Sequence, residues 1–459
     1  MNWRSERRLA LLVSAALALV CLTAAAVEKE PAVRMMTLAE CIQEALARNP
    51  GLSAETARTS AADYAAEVAR AGRFPRIDLS SDYSYSDRPQ RLMQPSYQGE
   101  LLRYENDIAQ AVAEVRVPLF SGGRLVARQR AAELAAAASR FNLFGSRQDL
   151  ILNVTAAYLA ATEQQAIIDA IDGSLKALIE KQKVAGTMKD VGRIAPLDLL
   201  KVDVRVAAVE QRRSKAGRDR DLISLHLAVL LGRDLGESLP SVAGLPALPQ
   251  PETSGMDQMV SEAAARRPEL NALLQEIARR QAELTQVSAE RWPSLEAFGR
   301  WTARSAVFPT DTTISSFQDF FLGGLTLKVP LWTSGELGAR RRQAQALLKE
   351  ARERRRAGLL QVAEQVRREV AAQAEAVDRE HVAGKAAEQA REAFGIEQAN
   401  YDLGRASVND VLDAQAALLE AEMALAQARH DVALATISLV WASGRDLEQW
   451  LLPGKREEQ

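Results

Sequence analysis

One structural unit is written twice in this chain, and that repeat restricts the fold more than any other feature. The run Glu44-Ala45-Leu46-Ala47-Arg48-Asn49-Pro50-Gly51-Leu52 returns as Glu262-Ala263-Ala264-Ala265-Arg266-Arg267-Pro268-Glu269-Leu270, an offset of 268 − 50 = 218. Arg73-Phe74-Pro75 returns at the same offset as Arg291-Trp292-Pro293. Val117-Pro118-Leu119-Phe120-Ser121 returns as Val329-Pro330-Leu331-Trp332-Thr333, now at 330 − 118 = 212. Gly192-Arg193 matches Gly404-Arg405, and Gly232-Arg233-Asp234-Leu235 matches Gly444-Arg445-Asp446-Leu447, both still at 212. The copies therefore differ by 218 − 212 = 6 residues, all between Pro75 and Pro118. Alanine-rich helices resemble one another by chance, but chance does not keep five punctuation marks in register. The stretch from Pro240 to Pro251 holds four prolines and reads as the linker between copies. The expected repeats are residues 27–246 and 247–459.

Within each copy the hydrophobic period changes. No proline occurs from Gly123 to Lys189, and Ile168, Ile171, Leu175 and Leu178 recur at threes and fours. Leu359, Val362, Val366 and Val370 do the same in copy two. That is the stripe of an amphipathic, coiled-coil-like helix, and at 1.5 Å per residue it predicts a rod of roughly 100 Å. Return helices are expected from Pro196 to about Leu231 and from Val408 to about Trp441, antiparallel to the rods because the turns are short. Between the prolines the period is two. Ile77, Leu79, Tyr83 and Tyr85 alternate with Asp78, Ser80, Asp82, Ser84 and Ser86; Ala111, Ala113, Val115 and Val117 alternate with Gln110, Glu114 and Arg116. Leu295, Ala297, Trp301 and Ala303, then Leu325, Leu327 and Val329, repeat the pattern in copy two. These are strands of β-hairpins at about 76–118 and 294–330. Of the 23 Phe, Trp and Tyr, 14 fall in residues 74–120 and 292–332, with Phe74, Phe120, Trp292 and Trp332 at the strand ends. An interfacial aromatic girdle in lipid has this distribution, and so does a soluble hairpin with one buried face. Four strands cannot close a barrel, so strands crossing a bilayer would have to be shared between subunits.

The first residues read as a secretory signal, residues 1–26. Arg4, Arg7 and Arg8 precede an apolar run from Leu9 to Leu22, and Ala24-Ala25-Ala26 offers a small-residue cleavage site before Val27. An uncleaved anchor and a lipidated Cys21 are the alternatives. Removal of the signal leaves Cys41 alone, so no internal disulfide can form. No later run of about 18 apolar residues could span a bilayer as a helix. Lys and Arg number 58 against 60 Asp and Glu, a balance that argues against a nucleic-acid binder. His226, His381 and His430 have no ligand spacing, and no phosphate loop, nucleophile elbow or cysteine cluster appears. The expectation is therefore no enzyme, no catalytic residue, no metal and no cofactor. Acids such as Glu364 and Glu369 fit solvated helix faces.

Three segments resemble TolC-like outer membrane efflux proteins. They are Met36-Thr37-Leu38-Ala39-Glu40-Cys41 through Asn49-Pro50, the Val117-Pro118-Leu119-Phe120-Ser121-Gly122-Gly123 and Val329-Pro330-Leu331-Trp332 pair, and Tyr401-Asp402-Leu403-Gly404-Arg405-Ala406-Ser407-Val408-Asn409-Asp410-Val411-Leu412-Asp413. The resemblance runs in order through nearly the whole mature chain. It implies a mainly α fold of two tandem repeats with a membrane β part. It further implies a homotrimer with an α-helical barrel in the periplasm and one shared 12-stranded β-barrel in the outer membrane. The implied work is that of a passive exit duct for an efflux pump or type I secretion system. The implied partners are a periplasmic adaptor, an inner-membrane transporter (pump or ABC ATPase) and the outer-membrane bilayer. A soluble periplasmic coiled-coil adaptor or scaffold is the competing reading, and a peripheral helical enzyme a weaker one.

The tip turns have a local explanation as well. Gly404 and Gly192 suit helix C′ positions, Ser407 with Asp410 suits a variant capping box, and Pro196 with Asp198 suits a first helical turn. Asp413 lies further in, and its repeat mate is Lys201 (413 − 212 = 201), so the fold unit does not require the carboxylate. The resemblance implies that Asp410 and Asp413 line an entrance gate, with Tyr401 and Arg405 beside it. It also implies that Gly192, Arg193, Asp198, Gly404 and Ser407 form tip turns that meet the adaptor. Arg405 matches the family's latching basic residue only approximately, which leaves the latch unassigned.

Overall fold

The computed structural model describes residues 35–91, 104–192, 194–234, 237, 240–249, 255–306 and 318–452. The signal, Cys21 and Arg193 lie outside the described residues.

Copy one runs β1 (Met35–Met36), α1 (Leu38–Arg48), α2 (Pro50–Ala71), β2 (Arg76–Arg91), β3 (Tyr104–Phe120), α3 (Arg124–Asp190) and α4 (Pro196–Leu231). After β4 (Ser241–Val242), copy two runs α5 (Met256–Arg266), α6 (Pro268–Ala289), β5 (Ser294–Ala306), β6 (Gln318–Lys328), α7 (Glu336–Asp402) and α8 (Val408–Ala442), and α9 (Leu447–Leu451) follows. The sequence offsets reappear as element offsets. Helices α5 and α6 begin 256 − 38 = 218 and 268 − 50 = 218 residues after their mates, and α7 and α8 begin 336 − 124 = 212 and 408 − 196 = 212 after theirs. Helices α3 and α7 are each 67 residues long. The extra length of copy one sits in its hairpin, whose strands of 16 and 17 residues exceed those of 13 and 11 in copy two.

The chain divides into two compact units. The first contains Met1–Asn49, Ile151–Pro249 and Glu375–Leu434. Its core joins Ile168, Ile171 and Leu178 of α3 to Val202, Val206 and Val209 of α4 and Val408, Leu412 and Leu419 of α8. Helix α1 opens with a capping box, in which the Thr37 amide donates to Glu40 (2.8 Å) and the Thr37 hydroxyl accepts from the Glu40 amide (3.3 Å). Helix α1 is fastened to the end of α4 by a bidentate pair, Arg233 donating to both carboxylate oxygens of Glu44 at 2.7 and 2.8 Å. This bonding holds the Glu44 carboxyl below its usual range, against the opposing effect of burial. Asn49 donates from Nδ2 to the Leu230 carbonyl at 2.8 Å. Cys41 is fully buried, which pushes its thiol up to about 12 and leaves it a small core hydrophobe.

The second unit contains Pro50–Leu150, Gln250–Ala374 and Ala435–Gln459. Met259 and Ala263 of α5, Leu270 of α6, Val362 and Val366 of α7 and Leu439 of α8 form a core there. Arg267, the repeat mate of Asn49 (267 − 218 = 49), is buried beside it. Its guanidinium lies 4.2 Å from the Trp441 ring and donates to the Trp441 and Ala442 carbonyls, to Gln365 at 2.8 Å and to Glu269 at 2.6 Å. Those carbonyls end α8; the Gly444 amide also donates to the Trp441 carbonyl at 3.0 Å, and Arg267 adds a side-chain donor for both.

The four long strands form one antiparallel sheet in the order β2-β3-β5-β6. Its register sorts the side chains into two faces, as the alternation predicts. Leu79, Ala113, Trp301 and Phe321 share one cross-strand row; Asp78, Glu114, Arg300 and Leu322 share the next, on the opposite face. On the polar face Glu114 pairs with Arg116 at 3.0 Å and Arg300 at 3.1 Å, and Arg304 donates to Gln110 at 2.7 Å. On the apolar face Ile77 is 74% exposed, Leu79 76% and Phe321 73% among the described residues. Among the described residues β2 and β6 have no second strand partner, so the sheet is open at both edges.

Candidate gate at the helical tip

Both tip turns lie in the first unit. In copy two the Gly404 amide donates to the Tyr401 carbonyl at 2.9 Å and the Arg405 amide to the Asn400 carbonyl at 2.7 Å, with Gly404 at φ +72°. This is a Schellman stop, which needs a left-handed residue at that point. Three residues later α8 begins with a reciprocal cap. The Ser407 amide donates to Asp410 Oδ2 at 2.8 Å, and the Asp410 amide donates to Ser407 Oγ at 3.3 Å. Bonding to Ser407 holds the Asp410 carboxyl below its usual range. Copy one makes the same turn with Gly192 at φ +72°, its amide donating to the Lys189 carbonyl at 2.9 Å. Its α4 starts differently: Ala195 gives no side-chain cap, Pro196 occupies the first turn, and Asp198 pairs with Lys201 at 3.6 Å.

Asp413 stands one turn beyond the cap and is exposed. With Leu197, Leu200, Lys201, Val204, Asn409 and Leu412 it lines an open groove of about 390 Å³ between α4 and α8. Asp410 and Asp413 are thus brought to one helix start, but only Asp410 is engaged by the cap. Arg405 is exposed. Tyr401 is half-buried and packs against the core of its unit. Burial pushes its hydroxyl above the usual tyrosine range, with Asp198 and Asp402 adding to the effect.

Lys181 is a further tip residue that the sequence reading did not single out. It is buried, lies 5.2 Å from the Tyr401 ring centroid and donates to Gln398 Oε1 at 3.0 Å. Burial lowers its affinity for the proton, and nearby Asp402 partly restores it. One signal was available: its repeat mate is Ala393 (181 + 212 = 393), so the lysine is not a requirement of the repeated unit. Its partner Gln398 lies 217 residues away and could not be assigned from spacing. Among the described residues no group of three or more His, Cys, Asp or Glu could hold a metal ion.

The outer membrane efflux protein family matches residues 41–233 and 259–445, one segment in each repeat. The chain belongs to that family. It is 24% identical over 425 residues to the outer membrane protein TolC of Vibrio cholerae, covering 91% of this chain and 93% of that one. It is 25% identical over 415 residues to the pyoverdine export outer membrane protein OpmQ of Pseudomonas aeruginosa, covering 88% and 84%. Among solved structures it resembles the outer-membrane channel OprN, with TM-score 0.75, 20% identity and 90% coverage of each chain. It also resembles the Campylobacter jejuni outer membrane channel CmeC, with TM-score 0.76, 17% identity, and 89% and 85% coverage. The fold is that of these channels. The chain is an efflux channel of the outer membrane that extends into the periplasm, and the soluble scaffold is set aside.

Proposed function

We propose that three copies of this chain form one passive exit duct, with the four-stranded sheets joined into a 12-stranded barrel and the helices lining the periplasmic passage. The observation that carries this reading is the sheet itself. Among the described residues it has one face with exposed apolar side chains, an opposite face that carries the Glu114, Arg116 and Arg300 cluster, and two open edges, while no described helix is long and apolar enough to cross a membrane. An apolar face of this kind suits lipid, and open edges cannot remain unpaired there. Two copies would supply eight strands and three supply twelve; the coiled-coil helices and the family resemblance favour three. The duct catalyses no reaction. A periplasmic adaptor meets the tip turns around Gly192, Asp198, Gly404 and Ser407, and an inner-membrane transporter delivers the cargo. Asp410 and Asp413 from each copy form the entrance constriction, flanked by Tyr401 and Arg405.

Fractionation tests the reading. The mature protein should sediment with the outer membrane and require detergent to remain in solution. A folded, detergent-free monomer recovered from the periplasm would overturn it.

A further inference from the structure

An ion pair between α4 and α8 has a counterpart one heptad nearer the tip that stands open. Arg212 of α4 pairs with Glu420 of α8. Stepping back seven residues on each helix gives 212 − 7 = 205 and 420 − 7 = 413, the positions of Arg205 and Asp413. The two helices run the same way. Residues 197–208 of α4 and 409–413 of α8 line the open groove, whereas residues 205–212 and 415–419 line a cavity of about 30 Å³ beyond it, so the numbers rise together. The packing also repeats at seven: Val202, Val209 and Ala216 on α4 share one core with Leu412 and Leu419 on α8. Between parallel helices packed with that period, a cross-helix contact recurs seven residues, or about 10.5 Å, along.

Arg205 and Asp413 both line the groove, yet neither has an ion pair among the described residues. Lys201, the other base in the groove wall, is engaged by Asp198 at 3.6 Å. Asp413 is exposed and Arg205 half-buried, and Val204 beside the arginine is 71% exposed, so both charged side chains have room to turn. The repeated unit requires neither charge: the mate of Arg205 is Ala417 (205 + 212 = 417), as that of Asp413 is Lys201. Asp410 is not available to Arg205 in the same way, because the Ser407 cap already holds its carboxylate.

We propose that Arg205 is the counter-ion of Asp413 and a determinant of the channel's ion selectivity. The two close across the groove as Arg212 and Glu420 do, and each closure turns one carboxylate from the passage towards α4. The inference rests on the reading that Asp413 lines the entrance. An exposed bridge of this kind is only slightly favourable, so paired and free Asp413 coexist. The entrance then presents less negative charge than its carboxylates number, and Arg205 sets the fraction.

Reversal potentials of the full-length channel in planar bilayers test the pairing. Removing the counter-ion with Arg205→Gln should raise the ratio of cation to anion permeability about twofold, as carboxylates paired about half the time are released. Asp413→Asn should lower the ratio, and the double variant should match Asp413→Asn alone. Arg205→Lys keeps the charge and should stay close to the unmodified channel. Arg212→Gln breaks the bridge one heptad away and should leave the ratio unchanged. If Asp413→Asn lowers the ratio but Arg205→Gln does not raise it, the counter-ion role is overturned and the entrance reading stands. An equal rise from Arg205→Gln in the Asp413→Asn background would show that the arginine acts on permeating ions directly, which overturns the pairing. An equal rise from Arg212→Gln would trace the effect to loosened helices and overturn it too. No effect of Asp413→Asn would sink the entrance reading, and this inference with it. Arg205→Met is a second neutral variant. Failure of both neutral variants to assemble, with Arg205→Lys intact, would assign the arginine to folding and overturn the proposal.

Discussion

Arg267→Ala should weaken the second unit by about 3 kcal/mol. The side chain is 5% exposed and makes four kinds of contact at once. Truncation removes the Arg267 donor from the Ala442 carbonyl, at about 1–3 kcal/mol for a buried orphan, while the Trp441 carbonyl keeps the Gly444 amide at 3.0 Å. It also removes a desolvated cation–π contact worth about 2 kcal/mol. Return of the guanidinium to water in the unfolded state no longer has to be opposed, which offsets part of that sum. Copy one supplies an internal control. Asn49 donates a neutral amide hydrogen bond to the end of α4, and its loss in Asn49→Ala should cost about 1 kcal/mol. Far-UV circular dichroism of the detergent-solubilised protein reads both. At about 2–4 °C per kcal/mol for a unit of this size, Arg267→Ala should melt roughly 6–12 °C lower and Asn49→Ala roughly 2–4 °C lower. Equal shifts for the two variants, or a change below about 2 °C for Arg267→Ala, would refute the argument that this arginine closes the helix end.

Asp413→Ala should make the reconstituted channel less cation-selective. Three carboxylates about 6 Å from a permeating ion contribute about 2 kcal/mol in water, and salt roughly halves it, so the permeability ratio should fall about fivefold. Unchanged reversal potentials in a folded trimer would place this residue away from the gate. Ser407→Ala should cost about 0.5–2 kcal/mol through loss of the cap, seen as faster hydrogen exchange confined to the first turn of α8; uniform exchange would show that the cap is dispensable. The Glu44–Arg233 pair should lose its contribution in acid. The Glu44 carboxyl is depressed in the folded state, so its contribution is present above the ordinary carboxylate value of about 4.3 and disappears as pH falls through the folded value. Glu44→Gln should therefore narrow the melting difference between neutral and acid pH, and an unaltered difference would exclude this pair as its source.

Much of this architecture was legible in the sequence because repeats preserve punctuation. The pairs Gly192 and Gly404, or Pro118 and Pro330, mark equivalent backbone events whatever lies between them. Alternation over 77–85 and 295–303 named the faces of the sheet before the register did. The cap at Ser407 and Asp410 was legible because its partners are three residues apart. Lys181 and Arg267 were not. Each meets groups from a distant part of the chain, and a lysine within a helix or an arginine between two helices otherwise reads as a solvated charge. Only the repeat comparison, with Ala393 opposite Lys181 and Asn49 opposite Arg267, marks them as unusual. Asp413 shows the limit of that comparison: the asymmetry with Lys201 is plain, but the single chain does not bring together the ring it would form.

Counting chains in the purified complex tests the shared barrel most directly. Four strands with two open edges require closure between copies, and native mass measurement of the detergent-solubilised protein should give three chains per particle. A stable particle of one or two chains would contradict the 12-stranded barrel.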